Sequence, residues 1–237
     1  MRQILFLALF APFLFVPSLA VAAAAGYRLD TSPHDPRDVA SLQAGARTYV
    51  NYCLGCHGLQ FMRYKGFEDL GLTEAQIKEN LLFTADKVGE PIKAVQDPKE
   101  VKAWFGVVPP DLSVVSRSRG ADWLYTYLRT FYRDPKTVTG WNNAVYPNVA
   151  MPHALWPLQG QLGWDEKEAR LVEITKGSLS PTQYDATVRD LVNFLVYVGE
   201  PAAASRKSIG IAALFVLLGV LFPLTYWMKK EFWKDVK

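Results

Sequence analysis

Two long runs without charge frame this chain of 237 residues. No charged side chain lies between Arg2 and Arg28, and none lies at positions 208–228. Between these runs the apolar residues recur at helical spacing over short stretches, which proline and glycine separate. The pattern predicts a mainly α-helical domain over residues 26–205, with long irregular loops and a segment of different character at each end.

Helix-start signals divide this domain into short elements. An aromatic stripe predicts a helix over residues 122–132, and no strand is predicted beyond one short hairpin. The connections over residues 82–97 and 132–165 exceed the usual length of a loop, which indicates that they wrap around something. A capping residue followed by proline, or a capping-box spacing, marks the other predicted helix starts: Asp35-Pro36, Thr73 with Gln76, Asp97-Pro98 and Ser180-Pro181.

The first uncharged run is typical of a secretory signal peptide. After one arginine, residues 4–16 form an apolar core, and residues 19–25 form a tail dominated by small side chains. Pro12 and Pro17 argue against the competing interpretation, an uncleaved anchor. We therefore predict a signal peptide over residues 1–25, with the cleavage bond left open, and a domain exported to the periplasm.

The second run is long enough to cross a bilayer. Residues 209–227 are 19 uncharged residues. As a helix they cover about 28 Å, close to the thickness of the hydrocarbon core. Basic side chains at both ends disfavour a buried core helix, and the larger number after the run favours a cytoplasmic C-terminus. We predict an anchor helix over residues 206–228, a cytoplasmic tail over residues 229–237, and a single pass through a bacterial inner membrane.

Charge and composition exclude several classes of protein. Residues 26–205 carry 19 basic and 21 acidic side chains, so the basic excess behind the net charge of +3 lies at the ends of the chain. The domain has no basic patch interleaved with aromatic residues, so nucleic acid is not a predicted partner. An aromatic content of 13% argues against a disordered chain, and two cysteines are too few for a disulfide scaffold.

One motif carries the candidate chemistry. Cys53-Leu54-Gly55-Cys56-His57 is C-x-x-C-H, the attachment sequence of c-type haem. Two thiols at this spacing reach the two vinyl groups of one haem, and the adjacent imidazole reaches the iron. The alternatives are a structural disulfide, a thioredoxin-like redox pair and a zinc site. A thioredoxin-like pair would follow a strand, and a zinc site would need a second pair of ligands; the sequence offers neither. The motif therefore predicts one covalent haem c, held by Cys53 and Cys56, with His57 as an axial iron ligand.

The opposite axial ligand must come from elsewhere in the chain. Two methionines lie in the predicted signal peptide and at the end of the predicted membrane span, out of reach. Met62 follows the motif by only five residues, so it is expected on the same face of the haem as the motif's histidine. Met151 is the remaining methionine, and His153 is its rival two residues later. A methionine opposite a histidine raises the reduction potential of haem, which suits an electron carrier. The predicted iron ligands are therefore His57 and Met151, with His153 open as the alternative.

Six segments follow one another in an order and spacing that are together specific: Tyr49-Val50-Asn51-Tyr52-Cys53, Phe61-Met62-Arg63-Tyr64, Pro109-Pro110-Asp111-Leu112-Ser113, Ala150-Met151-Pro152, Val192-Asn193-Phe194-Leu195 and Gly199-Glu200-Pro201. In these segments the chain resembles the cytochrome c1 family, the haem subunits of the ubiquinol–cytochrome c reductase (cytochrome bc1) complex. The similarity covers nearly the whole chain after the signal. It implies a cytochrome c-like haem domain on one transmembrane helix, with Pro110 near the haem and Arg119 neutralising a haem propionate.

The resemblance implies an electron-transfer subunit. The Rieske iron–sulfur protein would reduce the haem, a soluble cytochrome c would accept the electron, and cytochrome b would be a membrane partner, in a dimeric complex. The sequence offers no paired carboxylates with histidine and no nucleophile with a base, so we expect no bond-making site. The chain lacks the long acidic insertions of mitochondrial relatives, which leaves residues 66–100, with eight acidic and four basic side chains, as a candidate docking face.

Each alternative function predicts a different observation. The first alternative is another membrane-anchored monohaem c-type cytochrome, such as an oxidase subunit, which would co-purify with different subunits. A thiol–disulfide enzyme would show no haem absorbance. A haem peroxidase would keep the sixth iron position open.

Overall fold

The computed structural model describes residues 26–235. The predicted signal peptide, residues 1–25, lies outside the described residues, as do positions 236 and 237. Helices dominate the described range, which confirms the predicted mainly α class with one long apolar helix at the C-terminal end.

Within this range, short helices alternate with two-stranded antiparallel sheets. A 3-10 helix lies at Tyr64–Leu70, and a π-helical turn lies at Val216–Leu221. The strand pairs are β1 (Leu59–Arg63) with β2 (Pro91–Ile92), β3 (Phe131–Arg133) with β4 (Trp141–Asn143), and β5 (Gly160–Asp165) with β6 (Arg170–Lys176). The α-helices are α1 (Val39–Tyr52), α2 (Glu74–Asn80), α3 (Pro98–Phe105), α4 (Val115–Arg119), α5 (Ala121–Arg129), α6 (Trp156–Gln159), α7 (Pro181–Gly199), α8 (Ala203–Phe215) and α9 (Phe222–Phe232).

The structure confirms three of the predicted helix starts. Thr73 and Ser180 cap α2 and α7 with complete capping boxes, in which the glutamine three residues later bonds back to the cap. Asp97 caps α3 by accepting from the backbone N–H of Lys99, with Pro98 in the first turn. These side chains satisfy amide groups that the first turn of a helix leaves without partners.

The predicted helix start at Asp35-Pro36 is wrong. Helix α1 begins at Val39, and its cap is Asp38, which accepts from a backbone N–H in the first turn. The Asp35 carboxylate is occupied instead by Arg37, whose backbone N–H and guanidinium both donate to it. Residues 35–38 therefore form a separate turn ahead of the helix.

Strand pairing takes up parts of the connections that the sequence pattern assigns to loops. The helix predicted over residues 122–132 ends at Arg129, because Phe131 enters β3 and pairs with Asn143 of β4. The connection over residues 132–165 contains β4 and β5, and β2 interrupts the earlier long connection. The prediction of at most one short hairpin is therefore wrong, because the described residues form three strand pairs. Strands such as β2 and β4 are short and lack the alternation of polar and apolar side chains that predicts a half-buried strand.

The crossing of α1 and α7 forms the centre of the domain. A Cβ atom at Gly45 would overlap the carbonyl oxygen of Asp190, so glycine allows the two helix backbones to approach closely. Beside this contact, Ser41 Oγ donates to the Asp190 carboxylate at 2.7 Å, and Asn193 Nδ2 donates to Ser41 Oγ at 3.0 Å. Phe194 continues the contact by packing its ring against that of Tyr49, with ring centroids 5.8 Å apart.

The C-terminal helix extends beyond the predicted anchor. Residues Ser205–Phe232 form one helix of 28 residues with a mean hydropathy of 2.3, and its side chains are exposed in the chain. It is long and apolar enough to cross a membrane. Pro223 has no backbone N–H, so the usual bond to the Gly219 carbonyl, four residues back, cannot form. Just before it, the backbone N–H of Phe222 donates to the Leu217 carbonyl, five residues back, which is the spacing of a π-helix. The predicted tail, residues 229–237, therefore begins as part of this helix.

Candidate haem-binding site

The C-x-x-C-H motif forms a tight turn directly after α1. The backbone N–H groups of Cys53 and Leu54 both donate to the carbonyl of Tyr49, and those of Cys56 and His57 donate to the carbonyl of Cys53. Leu54 is buried and anchors the turn in the core. Both cysteines and the histidine are therefore held within one rigid turn, as attachment to a single haem requires.

The two cysteines are partly buried and are not joined in a disulfide. Burial raises the pKa of the Cys53 thiol to about 12, and burial also raises the pKa of Cys56. Redox-active thiol pairs need the opposite shift, because the thiolate is the nucleophile. The environment of these thiols therefore disfavours a thiol–disulfide enzyme and suits sulfurs that end in uncharged thioethers.

His57 is oriented by the main chain of the neighbouring loop. Its Nδ1 lies 2.7 Å from the carbonyl oxygen of Pro110 and donates to it, which leaves Nε2 with its lone pair. Burial lowers the pKa of this imidazole, which keeps it neutral. A histidine ligand typically donates its other ring N–H to a carbonyl in this way. Pro110, expected only near the haem, thus has a defined contact with the predicted iron ligand.

Two polar side chains that sequence reasoning missed hold the Pro110 loop against the motif. Asp111 accepts from the backbone N–H of Gln60 and from that of Ser113, both at 2.9 Å. Ser113 Oγ in turn accepts from the backbone N–H of Phe61 at 3.1 Å. These hydrogen bonds tie the Pro110 loop to β1, directly after the motif, and so support the His57–Pro110 contact.

Tyr49, a third residue that sequence reasoning missed, holds the main chain of the motif. Tyr49, fully buried on the last turns of α1, donates its hydroxyl to the carbonyl of His57 at 2.6 Å. Both the side chain and the main chain of His57 are thus held by hydrogen bonds.

Met151 lies on the loop after β4. Its side chain is half-buried at the edge of the core, and its Sδ lies 3.4 Å from the hydroxyl of Tyr127 on α5. Met62 is buried in β1 and contributes to the core cluster.

His153, the rival of Met151, is committed to other contacts. It is 2% exposed, and its Nε2 lies 2.7 Å from the side-chain oxygen of Gln159. Its ring stacks on Phe131 with centroids 4.8 Å apart and planes 3° from parallel, and it meets the edge of Trp141. In the folded chain, His153 therefore contributes to core packing, and Gln159 occupies its Nε2.

Arg119 is exposed at the end of α4. Its guanidinium lies over the rings of Trp123 and Tyr146, 5.2 and 5.8 Å from their centroids. Among the described residues no carboxylate forms an ion pair with it. The aromatic rings thus hold a cation whose donors stay available to an external anion.

A C-x-x-C-H turn in a helical domain that ends in one apolar helix is the arrangement typical of a membrane-anchored c-type cytochrome. The model of the Cytochrome C1 family matches residues 31–236. The chain belongs to the cytochrome c1 family.

Individual relatives match this chain over most of their length. The chain is 47% identical over 237 residues to cytochrome c1 of Allochromatium vinosum, covering 94% of this chain and 96% of the relative. It is 28% identical over 240 residues to cytochrome c1 of Rhodospirillum rubrum, covering 84% and 83% of the two chains. A protein of Nitrosomonas europaea named ammonia monooxygenase gamma subunit is 48% identical over 236 residues, covering 100% of both chains.

Proposed function

We propose that this chain is the haem-bearing electron-transfer subunit of a cytochrome bc1 complex. It accepts electrons from the Rieske iron–sulfur protein and passes them to a soluble cytochrome c. The observation that carries this proposal is the C-x-x-C-H turn with the His57 imidazole held by the Pro110 carbonyl, in a chain that matches the family from residue 31 to residue 236.

The residues present fit a covalent haem c. Cys53 and Cys56 would form its thioethers, His57 Nε2 and Met151 Sδ would bind its iron, and Arg119 would neutralise a propionate. A neutral imidazole and a thioether are a suitable pair of iron ligands, because both are uncharged in a partly buried site. When bound, haem c supplies a one-electron ferric–ferrous couple.

The chain's own residues hold the redox centre and do no bond-making chemistry. Pro110 and Tyr49 hold the side chain and the main chain of His57, and Asp111 ties the Pro110 loop to β1, directly after the motif. Such fixed contacts suit electron transfer, in which a rigid ligand set limits the rearrangement that accompanies a change of charge. The activity of ubiquinol–cytochrome c reductase thus belongs to the complex, with this chain as its electron-carrying subunit.

The anchor helix sets the place of the domain in the cell. The haem domain lies on the periplasmic side of the inner membrane, the C-terminus is cytoplasmic, and the helix contacts cytochrome b within a dimeric complex. Its apolar side chains are exposed along the helix, as lipid or partner helices require. The acidic segment, residues 66–100, is the proposed docking face for the soluble cytochrome.

The name of the Nitrosomonas relative gives a second candidate assembly, a monooxygenase complex. Its identity to this chain is close to that of the Allochromatium cytochrome c1, so identity does not separate the two. The third candidate, expected from the sequence, is a monohaem cytochrome of an oxidase. All three need the haem, and they differ in the partners of the chain.

Purification of the full chain from native membranes tests the proposal. We expect a c-type reduced-minus-oxidised spectrum, haem that stays on the polypeptide after denaturation, and co-purified cytochrome b and Rieske protein. Monooxygenase or oxidase subunits in place of these partners would reject the proposed complex while keeping the cytochrome. Absence of covalent haem would reject both the proposed complex and the assignment of the chain as a c-type cytochrome.

A further inference from the structure

One contact at the Met151 loop is not explained by packing alone. The hydroxyl of Tyr127 lies 3.4 Å from Met151 Sδ, within range for a hydrogen bond to sulfur. The thioether has no proton to give, so Tyr127 is the donor. Tyr127 is 9% exposed, and this hydroxyl is directed at the sulfur within the core cluster.

We propose that Tyr127 is a positioning residue that raises the reduction potential of the haem through its hydrogen bond to Met151. The inference rests on the proposed function, in which Met151 is an iron ligand. A thioether sulfur has two lone pairs, so one binds iron while the other accepts from Tyr127. The hydrogen bond withdraws electron density from the sulfur. This destabilises ferric iron more than ferrous iron, and hydrogen bonding around axial ligands is a recognised means of tuning haem potential.

The Tyr127 ring is fixed by two aromatic neighbours. Trp123 stacks on it with centroids 4.7 Å apart and planes 12° from parallel, and Phe131 meets it edge-on at 5.0 Å. An ordinary phenol has a pKa of about 10, so the Tyr127 hydroxyl is protonated at neutral pH and can donate. A ring held on two sides, with its proton retained, is a constant donor.

The start of the loop that carries Met151 is tied to the same helix. Asn143, fully buried in β4, donates to the Tyr127 carbonyl at 2.8 Å. Its Oδ1 accepts from the backbone N–H groups of Val145 and Tyr146, at 2.9 and 3.1 Å, where the loop toward Met151 begins. One asparagine thus ties the helix that carries the donor to the loop that carries the acceptor.

The primary test is Tyr127→Phe in the full-length, membrane-assembled protein. This change removes one oxygen and keeps the ring. We expect a lower midpoint potential by redox titration, while the thioether-sensitive charge-transfer absorbance of the ferric form remains. The matched control is Tyr184→Phe: Tyr184 is also buried, but its hydroxyl donates to the carbonyl of Leu128. Tyr184→Phe should leave the potential unchanged, whereas equal shifts in both variants would reduce Tyr127 to a packing role and overturn the inference.

A double variant separates this inference from the ligand assignment. Tyr127→Phe should shift the potential in the native background and should have no further effect in Met151→Leu. An equal shift in both backgrounds would show that the effect bypasses the sulfur, and would reject the inference alone. If Met151→Leu leaves the thioether-sensitive absorbance in place, the ligand assignment fails and the inference fails with it.

A substitution with the opposite expected effect on the midpoint potential provides a test if the Tyr127→Phe protein does not fold. Fluorotyrosine at position 127 keeps the ring and makes the phenol a stronger donor. At a pH where this phenol is neutral, we expect the midpoint potential to rise. An unchanged or lower potential would overturn the inference.

Discussion

The Nδ1 atom of His57 lies 2.7 Å from the main-chain carbonyl oxygen of Pro110, 53 residues further along the chain. This hydrogen bond selects the tautomer of His57 that presents Nε2 as a lone-pair donor. Because the acceptor belongs to the main chain, the position of the Pro110 loop determines the orientation of the imidazole. Asp111 is one of the two side chains that hold this loop.

Asp111→Ala should destabilise the haem domain by about 2 kcal/mol, because two backbone N–H groups lose a charged acceptor in a half-buried loop. Denaturant unfolding of the purified protein measures this loss. Asp86→Ala, at an exposed position in the preceding connection, is the control and should change stability by less than about 0.5 kcal/mol. Equal stability of the two variants would show that Asp111 does not hold the loop.

Met151→Leu should keep the haem attached, because attachment depends on Cys53 and Cys56. It should lower the midpoint potential and abolish the thioether-sensitive absorbance, since the soft sulfur that favours ferrous iron is gone. Met62→Leu makes the same exchange in the core and should leave both measurements unchanged. If Met151→Leu behaves like Met62→Leu, His153 becomes the first candidate ligand, and it would have to leave its stack on Phe131.

Gly45→Ala should destabilise the domain by about 1–3 kcal/mol, because the new methyl group overlaps the Asp190 carbonyl at the crossing of α1 and α7. Gly89→Ala is the matched control, since a methyl group there meets no atom within 4 Å. Thermal unfolding followed by circular dichroism compares the two. A Gly45→Ala protein as stable as the control would mean that the helices do not cross as closely as described.

A chain that ends after Ser205 should be exported as a soluble haem protein. The side chains of the anchor helix are exposed in the chain's own structure, so the core of the domain does not depend on them. The truncated protein should carry covalent haem and accept electrons from a small reductant, but should fail to join the membrane complex. Recovery only as aggregated, haem-free material would show that the anchor is part of the domain core.

Local signals were sufficient to predict the elements that depend on neighbours in sequence. The capping boxes at Thr73 and Ser180 satisfy amides three residues away, and the C-x-x-C-H turn closes on itself. Asp35 was misassigned because its pattern is equally suited to a turn, and only the nearby Arg37 decides between the two. Local spacing thus predicts an element when its stabilising contacts are local and no neighbouring side chain competes for the capping residue.

The contacts that complete the candidate site connect distant parts of the chain. His57 meets Pro110 across 53 residues, and Tyr127 meets Met151 across 24. Nothing in the spacing of Tyr127 distinguishes it from the other aromatic residues of α5. Its contact arises from the turn into β3 and β4, and these short strands have no clear sequence pattern.

Rapid mixing of ubiquinol with native membranes tests the central claim most directly. The account predicts that the haem of this chain is reduced within the turnover time of the complex, and that deletion of the Rieske protein abolishes this reduction. The haem should then be reoxidised by added soluble cytochrome c. Reduction at an unchanged rate without the Rieske protein, or no reduction by ubiquinol in intact membranes, would contradict the assignment of this chain to a cytochrome bc1 complex.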